Sequence, residues 1–253
     1  MKKLKKLIHR FDFQINAFYF SAAVLIIALI SIPIYYSVSQ LLINESVVST
    51  QNVLEMSSMN IETYIDKTKA EASVFAENLA LQAYLQNQTD DLSEIEHYIQ
   101  SILNHDDYIR SVIIVAKDGR IISNEQDMGM TTSADMMEED WYKNAIHNTM
   151  PILTGARMQS FSSDMNDIVI STSTEIKDAE GNNLGVLLID MDYHVIAHYL
   201  QAVEMGDGGY VYIINQNGQL VYHKDPDYIK DLSKQKELQA LLSKGSCFDE
   251  KNN

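Results

Sequence analysis

The sequence predicts an α+β chain. An N-terminal transmembrane helix and a long amphipathic helix precede two tandem modules, each built on a five-stranded antiparallel sheet, the second incomplete. Three observations carry this. No charged residue occurs from Phe13 to Asn44. From Asn44 to about Gln86 there is neither Pro nor Gly. The strand–turn–strand stretch VAKDGRII recurs 99 residues later as INQNGQLV, a repeat too long for a solenoid and suited to two domains of one type.

The apolar stretch AFYFSAAVLIIALISIPIYY has twenty residues, and at about 1.5 Å rise per residue it matches the roughly 30 Å hydrocarbon core of a bilayer. It is too long for a signal peptide and ends in Pro33, Tyr35 and Tyr36 rather than at a small-residue cleavage site. Lys2, Lys3, Lys5, Lys6 and Arg10 precede it, which places a tail at 1–16 in the cytoplasm, the span at 17–43 in the cell membrane and the bulk outside. The net charge is −16, and without the five tail cations and Asp12 the exported part carries −20, which excludes nucleic acid as a partner. Cys247 is the single cysteine, so no internal disulfide forms.

After Asn44, apolar or small residues at Val47, Leu54, Ser58, Ile61, Ile65, Thr68, Ala72, Phe75 and Leu79 trace one face of a long helix. Its stripe packs either on its own domain or, near the membrane, on a second copy of the chain. A second helix is expected within Asp91–Asn104, then a hairpin in Ser111–Ser123 around Asp118-Gly119. EEDWYKNAI reads as a short helix, and ILTGARMQS, DIVISTSTEI and NLGVLLIDMD as strands, followed by a helix over Tyr193–Met205. A second hairpin pairs Tyr210–Ile214 with Gln219–Tyr222 across Asn217-Gly218, before a helix at Leu232–Leu242. A two-residue turn there leaves both hairpin faces apolar, to be covered by the long helix and by a partner element.

The long helix, DWYKNAI, GVLLIDMD and above all GDGGYVYIINQNGQLVYHKDP resemble the double Cache sensor domain of bacterial transmembrane receptors, over about Val47 to Leu242. The resemblance implies PAS-like modules: a membrane-distal one, here 44–205 with the long helix, that binds a small ligand, and a membrane-proximal one, here 206–253, that relays the signal. Family members add three more strands, a return through the membrane and an output domain. The expectation here is therefore a fragment of a longer receptor or the product of a disrupted gene, with the strands after Met205 lacking partners and forming the less stable half.

The resemblance also marks a site. Trp141 and Tyr142 fit the family's pocket rim, although a Trp-Tyr pair at a helix start is also ordinary core. Amino-acid-binding members carry an Arg two places before the Trp to grip a carboxylate; this chain has Glu139. Arg157 on the next strand either supplies the missing cation or points to solvent. Asp190 ends an apolar strand where family members bind an ammonium, and a buried carboxylate there needs a ligand cation or a helix-capping bond, a role open to Asp192 as well. Ser171 and Ser173 share a strand face and add hydroxyls. Glu139 and Asp190 favour a cationic or polyhydroxylated ligand, with α-amino acids admitted only if Arg157 turns inward.

Asp190 with Asp192, and Asp164 with Asn166 and Asp167, read as turn acids rather than a metal site, and His223 as structural. No phosphate loop, nucleophile elbow or zincin pair occurs, so neither catalysis nor a cofactor is expected. The reading is the extracytoplasmic sensor of a membrane receptor, a homodimer of the sensor histidine kinase type; chemoreceptor and diguanylate cyclase sensors, or an anchored adhesion protein, are the alternatives.

Overall fold

The computed structural model describes residues 2–125, 132–159, 167–203, 209–215, 218–231 and 233–236, with side chains for 15 and from 18 onward. The chain divides into two units, Met1–Leu54 and Glu55–Asn253. The first is helical throughout, part of α1 (Lys2–Ala76). Its apolar side chains, among them Phe18, Leu25, Ile30 and Tyr35, are exposed, and it holds the one stretch among the described residues long and apolar enough to cross a membrane.

In the second unit, α1 buries Ser57, Ile61, Tyr64, Thr68, Ala72 and Phe75, a stripe at spacings of three and four. The helix ends at Ala76, earlier than the absence of Pro and Gly implies. Asn78 breaks it: its backbone is extended, and its side-chain oxygen accepts the N–H of Leu81, capping a new helix, α2 (Leu79–Leu85). Leu79, the last residue of the expected stripe, consequently faces solvent. α3 (Ser93–His105) follows, with Glu94 and Glu96 in its first turn, where carboxylates suit the helix dipole.

The sheet is formed by β1 (Ile109–Ala116) and β2 (Ile121–Ser123), then, after α4 (Ser133–Glu138) and α5 (Asp140–His147), by β3 (Ile152–Met158), β4 (Ile168–Lys177) and β5 (Asn183–Asp192). All five strands are antiparallel, in the order β2-β1-β5-β4-β3. Alternation along the central strands sends successive side chains to opposite faces. Val112, Ile114, Leu187 and Ile189 meet Phe75 of α1, Leu81 of α2 and Ile95, Ile99 and Ile102 of α3. Ile113, Val115, Val186 and Leu188 meet Met136 of α4 and Trp141, Tyr142 and Ala145 of α5.

α6 (His194–Tyr199) is shorter than the expected helix, its last α-helical bond, from the N–H of Leu200 to Ile196 O, giving way to a tighter one from the N–H of Gln201 to His198 O; 204–208 lie outside the described residues. β6 (Tyr212–Ile214) and β7 (Leu220–His223) form the second hairpin, followed by α7 (Asp227–Lys230). Most of the expected helix at Leu232–Leu242, with Cys247, Asp164, Asn166 and Asn217, falls outside the described residues.

The repeat is structural as well as sequential. In the first turn, the N–H of Gly119 donates to Ala116 O and that of Ala116 to Arg120 O. In the second, 99 residues on, the N–H of Gly218 donates to Asn215 O and that of Asn215 to Gln219 O. Both glycines are left-handed, at φ +91° and +74°, a conformation glycine adopts without strain.

The long helix covers one side of the second hairpin as expected, while Tyr210 and Ile214 stay exposed. Val221 is buried among Ile61 and Tyr64 of α1 and Val195 and Ile196 of α6, and Leu220 among Ala156, Tyr193 and Ile229. Its register also departs from an unbroken two-residue hairpin: Tyr212 pairs with His223 and Ile213 with Tyr222, but Ile214 pairs with Leu220 across a bulge. The hairpin docks on edge strand β3. Gln219 Oε1 accepts the N–H of Gly155 at 3.3 Å, and Asn215 Nδ2 donates to Leu153 O at 3.1 Å. From β5's end, the Tyr193 hydroxyl donates to His223 O and accepts the N–H of His223 at 2.9 Å.

Gly155 is where the seam is tightest. A Cβ there would lie 2.8 Å from Gln219 Cβ and 2.9 Å from Leu220 O. Gly155→Ala is expected to cost about 1–3 kcal/mol by overpacking, and to raise hydrogen exchange in 209–231 more than in β1 and β5; equal protection of 209–231 in variant and parent would show that the seam does not hold the hairpin.

Candidate functional site

The polar residues of the sheet face toward α5 gather around one carboxylate. Asp190, on central strand β5, is fully buried, with Ser111 of β1 opposite it on one side and Ser171 of β4 on the other. Directly paired residues share a sheet face, so both hydroxyls reach the acid: Ser171 Oγ at 2.6 Å from Oδ1 and Ser111 Oγ at 3.2 Å from Oδ2. Gln159 Nε2 extends the row by donating to Ser111 Oγ at 3.3 Å.

The counter-charge is Arg157. Its Nη2 lies 2.8 Å from Oδ1 and 3.1 Å from Oδ2 of Asp190, with 16% of the side chain exposed. A bulge in β3 makes this possible. Thr154 pairs with Ser171 and Arg157 with Val169, so two residues intervene between positions that face the same way, and Gly155 and Ala156 absorb the shift. The bulge that aims Arg157 at Asp190 thus also presents Gly155 to the second hairpin.

This arrangement corrects the expectation for Asp190. Its partner within the chain is not a helix-capping bond but Arg157, turned inward. A buried carboxylate needs such a partner because leaving water without one costs several kcal/mol. Asp192 takes the role at the start of α6, where its Oδ1 accepts the N–H of His194 at 2.8 Å while Oδ2 is held by Arg110. Burial raises the Asp192 carboxyl, but these donors outweigh it and leave it below the usual carboxylate range. Asp190 and Asp192 therefore serve separate partners, and among the described residues no cluster of three His, Cys, Asp or Glu is placed to hold a metal.

Beside Arg157 lies a cavity of about 230 Å³, lined by Glu139, Trp141, Thr154, Arg157, Gln219 and Leu220 among others. At about 30 Å³ per water it has room for roughly seven waters or a ligand of a few heavy atoms. The Thr154 hydroxyl facing this region is buried with no hydrogen-bond partner among the described residues. Trp141 is both core and wall: it is 1% exposed and packs edge-on to Tyr142 with ring centroids 5.7 Å apart, yet it lines the cavity. Its backbone oxygen accepts from Ser173 Oγ at 2.9 Å, so Ser173 fixes α5 on the sheet. Tyr142, Ser171, Ser173 and Asp190 do not line the cavity. The sequence reading missed Ser111, Gln159, Thr154 and Gln219. Ser111 alone carries a local signal, a hydroxyl opening the apolar run SVIIVA.

The sequence profile of the Cache domain matches residues 38–252, which take in the five-stranded sheet, its covering helices and the second hairpin. The chain belongs to the Cache family. The Cache fold recurs in solved structures. The ligand-binding domain of Pseudomonas fluorescens chemoreceptor CtaA, in complex with L-valine, superposes with TM-score 0.56 at 20% identity, covering 74% of this chain and 79% of that one. That of Campylobacter jejuni chemoreceptor Tlp3, in complex with L-norvaline, gives 0.54 at 15%, covering 74% and 72%. That of Pseudomonas aeruginosa PctC, in complex with GABA, gives 0.55 at 19%, covering 73% and 79%. Among curated proteins, methyl-accepting chemotaxis protein McpA of Bacillus subtilis is 24% identical over 226 residues, 88% of this chain, and TlpA of the same organism is 24% identical over 129 residues, 51% of this chain. The chain spans 32% of the length of McpA and 18% of TlpA. The Cache relatives are chemotaxis proteins, so the chemoreceptor alternative fits them better than the histidine kinase reading.

Proposed function

We propose that this Cache chain is the extracytoplasmic, non-catalytic sensor region of a chemoreceptor-type membrane receptor, and that its ligand is a small zwitterion of the amino-acid class. The Arg157–Asp190 pair beside the Trp141-lined cavity carries this reading. An organic acid alone would draw Arg157 into the cavity and strand the fully buried Asp190 carboxylate. A zwitterion avoids this: Arg157, which lines the cavity, turns to its carboxylate, and the space it vacates opens Asp190, which does not itself line the cavity, to its ammonium. The amino-acid ligands of the CtaA, Tlp3 and PctC domains support that class, which replaces the cationic or polyhydroxylated one expected with Arg157 turned outward.

The exchange moves Arg157, hence the β3 bulge and the hairpin docked on it, which gives the ligand a differential affinity for two positions of the second module. In this proposal the N-terminal tail is cytoplasmic, the apolar span of α1 crosses the membrane once, 44–205 senses and 206–253 relays. The chain works as a homodimer, for which the exposed Met56 and Met59 of α1 supply apolar contacts.

Thermal shift of the full chain in nanodiscs tests the ligand class against amino acids, amines, organic acids, nucleosides and sugars. At a hundred times its dissociation constant a ligand adds about 2.7 kcal/mol, and the largest shifts are expected from amino acids. Amines without a carboxylate, or acids without an amine, giving equal shifts would refute the zwitterion.

A further inference from the structure

A larger cavity of about 420 Å³, lined from α1, the end of α3 with its link to β1, and α6, shares no lining residue with the one beside Arg157. Three tyrosines line it: Tyr64 from α1, Tyr108 from the link between α3 and β1, and Tyr199 at the end of α6, with the Tyr64 and Tyr199 rings 6.0 Å apart. Asp106 and Asp107 line it as well, with Lys67 opposite.

The charges there are poorly matched. Asp106 Oδ1 accepts the N–H of Tyr108 at 3.0 Å, Oδ2 meets the Nζ of Lys67 at 3.6 Å, and the Tyr64 hydroxyl lies beside the same carboxylate. The Lys67 side chain is 58% exposed and that of Asp106 only 8%, so a hydrated surface ammonium stands in for a buried partner. The Tyr64 hydroxyl is buried beside the Asp106 carboxylate without a well-formed hydrogen bond to it. Burial, and then the nearby Asp106 charge, raises its pKa. Burial and Asp106 likewise raise the Glu71 carboxyl against the pull of Lys67. Asp106 and Asp107 edge an aromatic-walled space, with Lys67 as the competing cation and the His105 ring beside them, a setting that suits a weakly hydrated cation over the faces of the rings.

We propose that this cavity is a second binding site, for a small organic cation whose ammonium sits against Asp106 Oδ2 and the tyrosine faces, displacing Lys67. Because Tyr64 and Lys67 belong to α1, occupancy bears directly on that helix and bypasses β3. The site is independent of the zwitterion reading.

Choline and its uncharged isostere 3,3-dimethylbutan-1-ol, titrated calorimetrically into the full chain in nanodiscs, test the proposal. Choline is expected to bind about ten-fold or more tightly than the isostere, and Asp106→Asn, which keeps the acceptor for the Tyr108 N–H, to weaken it about ten-fold. Lys67→Gln should tighten it by removing the competing cation, and Lys143→Gln, at an exposed position that lines neither cavity, should leave it unchanged. Should Asp106→Asn fail to fold, Tyr199→Leu is expected to weaken choline several-fold. Absence of choline binding, equal binding of the isostere, or full choline affinity retained in Asp106→Asn would overturn the site.

Discussion

Arg157→Leu is expected to destabilise the folded chain by about 3–5 kcal/mol, the cost of leaving one member of a buried ion pair without its partner. The size follows from the geometry. Asp190 is fully buried between two strands, and Ser111 and Ser171 supply hydrogen bonds but no charge. Replacing Asp190 by Asn in the same chain should restore most of the loss, because the amide oxygen introduced there still accepts from Ser171 and no anion is left to compensate. Chemical denaturation of Arg157→Leu and of the double variant Arg157→Leu/Asp190→Asn measures this. A single variant within about 1 kcal/mol of the parent would mean that the pair is a surface contact in energetic terms.

Trp141→Ala is expected to cost about 3–5 kcal/mol, the range for truncating a buried aromatic. Trp141 is the largest fully buried side chain in the described residues and contacts the cluster that holds α4 and α5 on the sheet. The substitution should also enlarge the cavity beside Arg157. Denaturation reads the first effect. A loss below about 1 kcal/mol would make Trp141 a ligand platform held outside the core, contrary to its burial.

The fold was legible because it is written in patterns that do not depend on tertiary context. The continuous apolar runs VIIVA and GVLLID, bounded by turn residues, read as strands, whose geometry then places Val112, Ile114, Leu187 and Ile189 on one face and Asp190 on the other, and the paired glycines at Gly119 and Gly218 mark two turns of the same kind. The break at Asn78 was harder. An Asn inside a Pro- and Gly-free run is compatible with helix, and only the contact of its side chain with Leu81 turns it into a cap.

The site was half legible. Asp190 announces itself as an acid closing an apolar strand. Its pairing with Arg157 depends on the bulge between Thr154 and Arg157, which changes the parity of β3 and has no local signature beyond Gly155. Ser111 reaches Asp190 from 79 residues away in sequence, and Gln219 reaches Gly155 from 64 away, so neither contact is visible in any local window. The same reason explains the hairpin. The long helix was legible as one cover of its apolar faces, but the partner element was not: β3 and Tyr193 fill that role from far along the chain.

The central claim is that the Arg157–Asp190 pair is exchanged for a zwitterion. Calorimetric titration of the full chain in nanodiscs with each of the standard amino acids, repeated on Arg157→Gln, tests it most directly. The account predicts that at least one amino acid binds the parent and that Arg157→Gln weakens it about ten-fold or more, the worth of a charge-assisted hydrogen bond. An amino acid that binds parent and variant with equal affinity, or no amino acid binding at all, would contradict it.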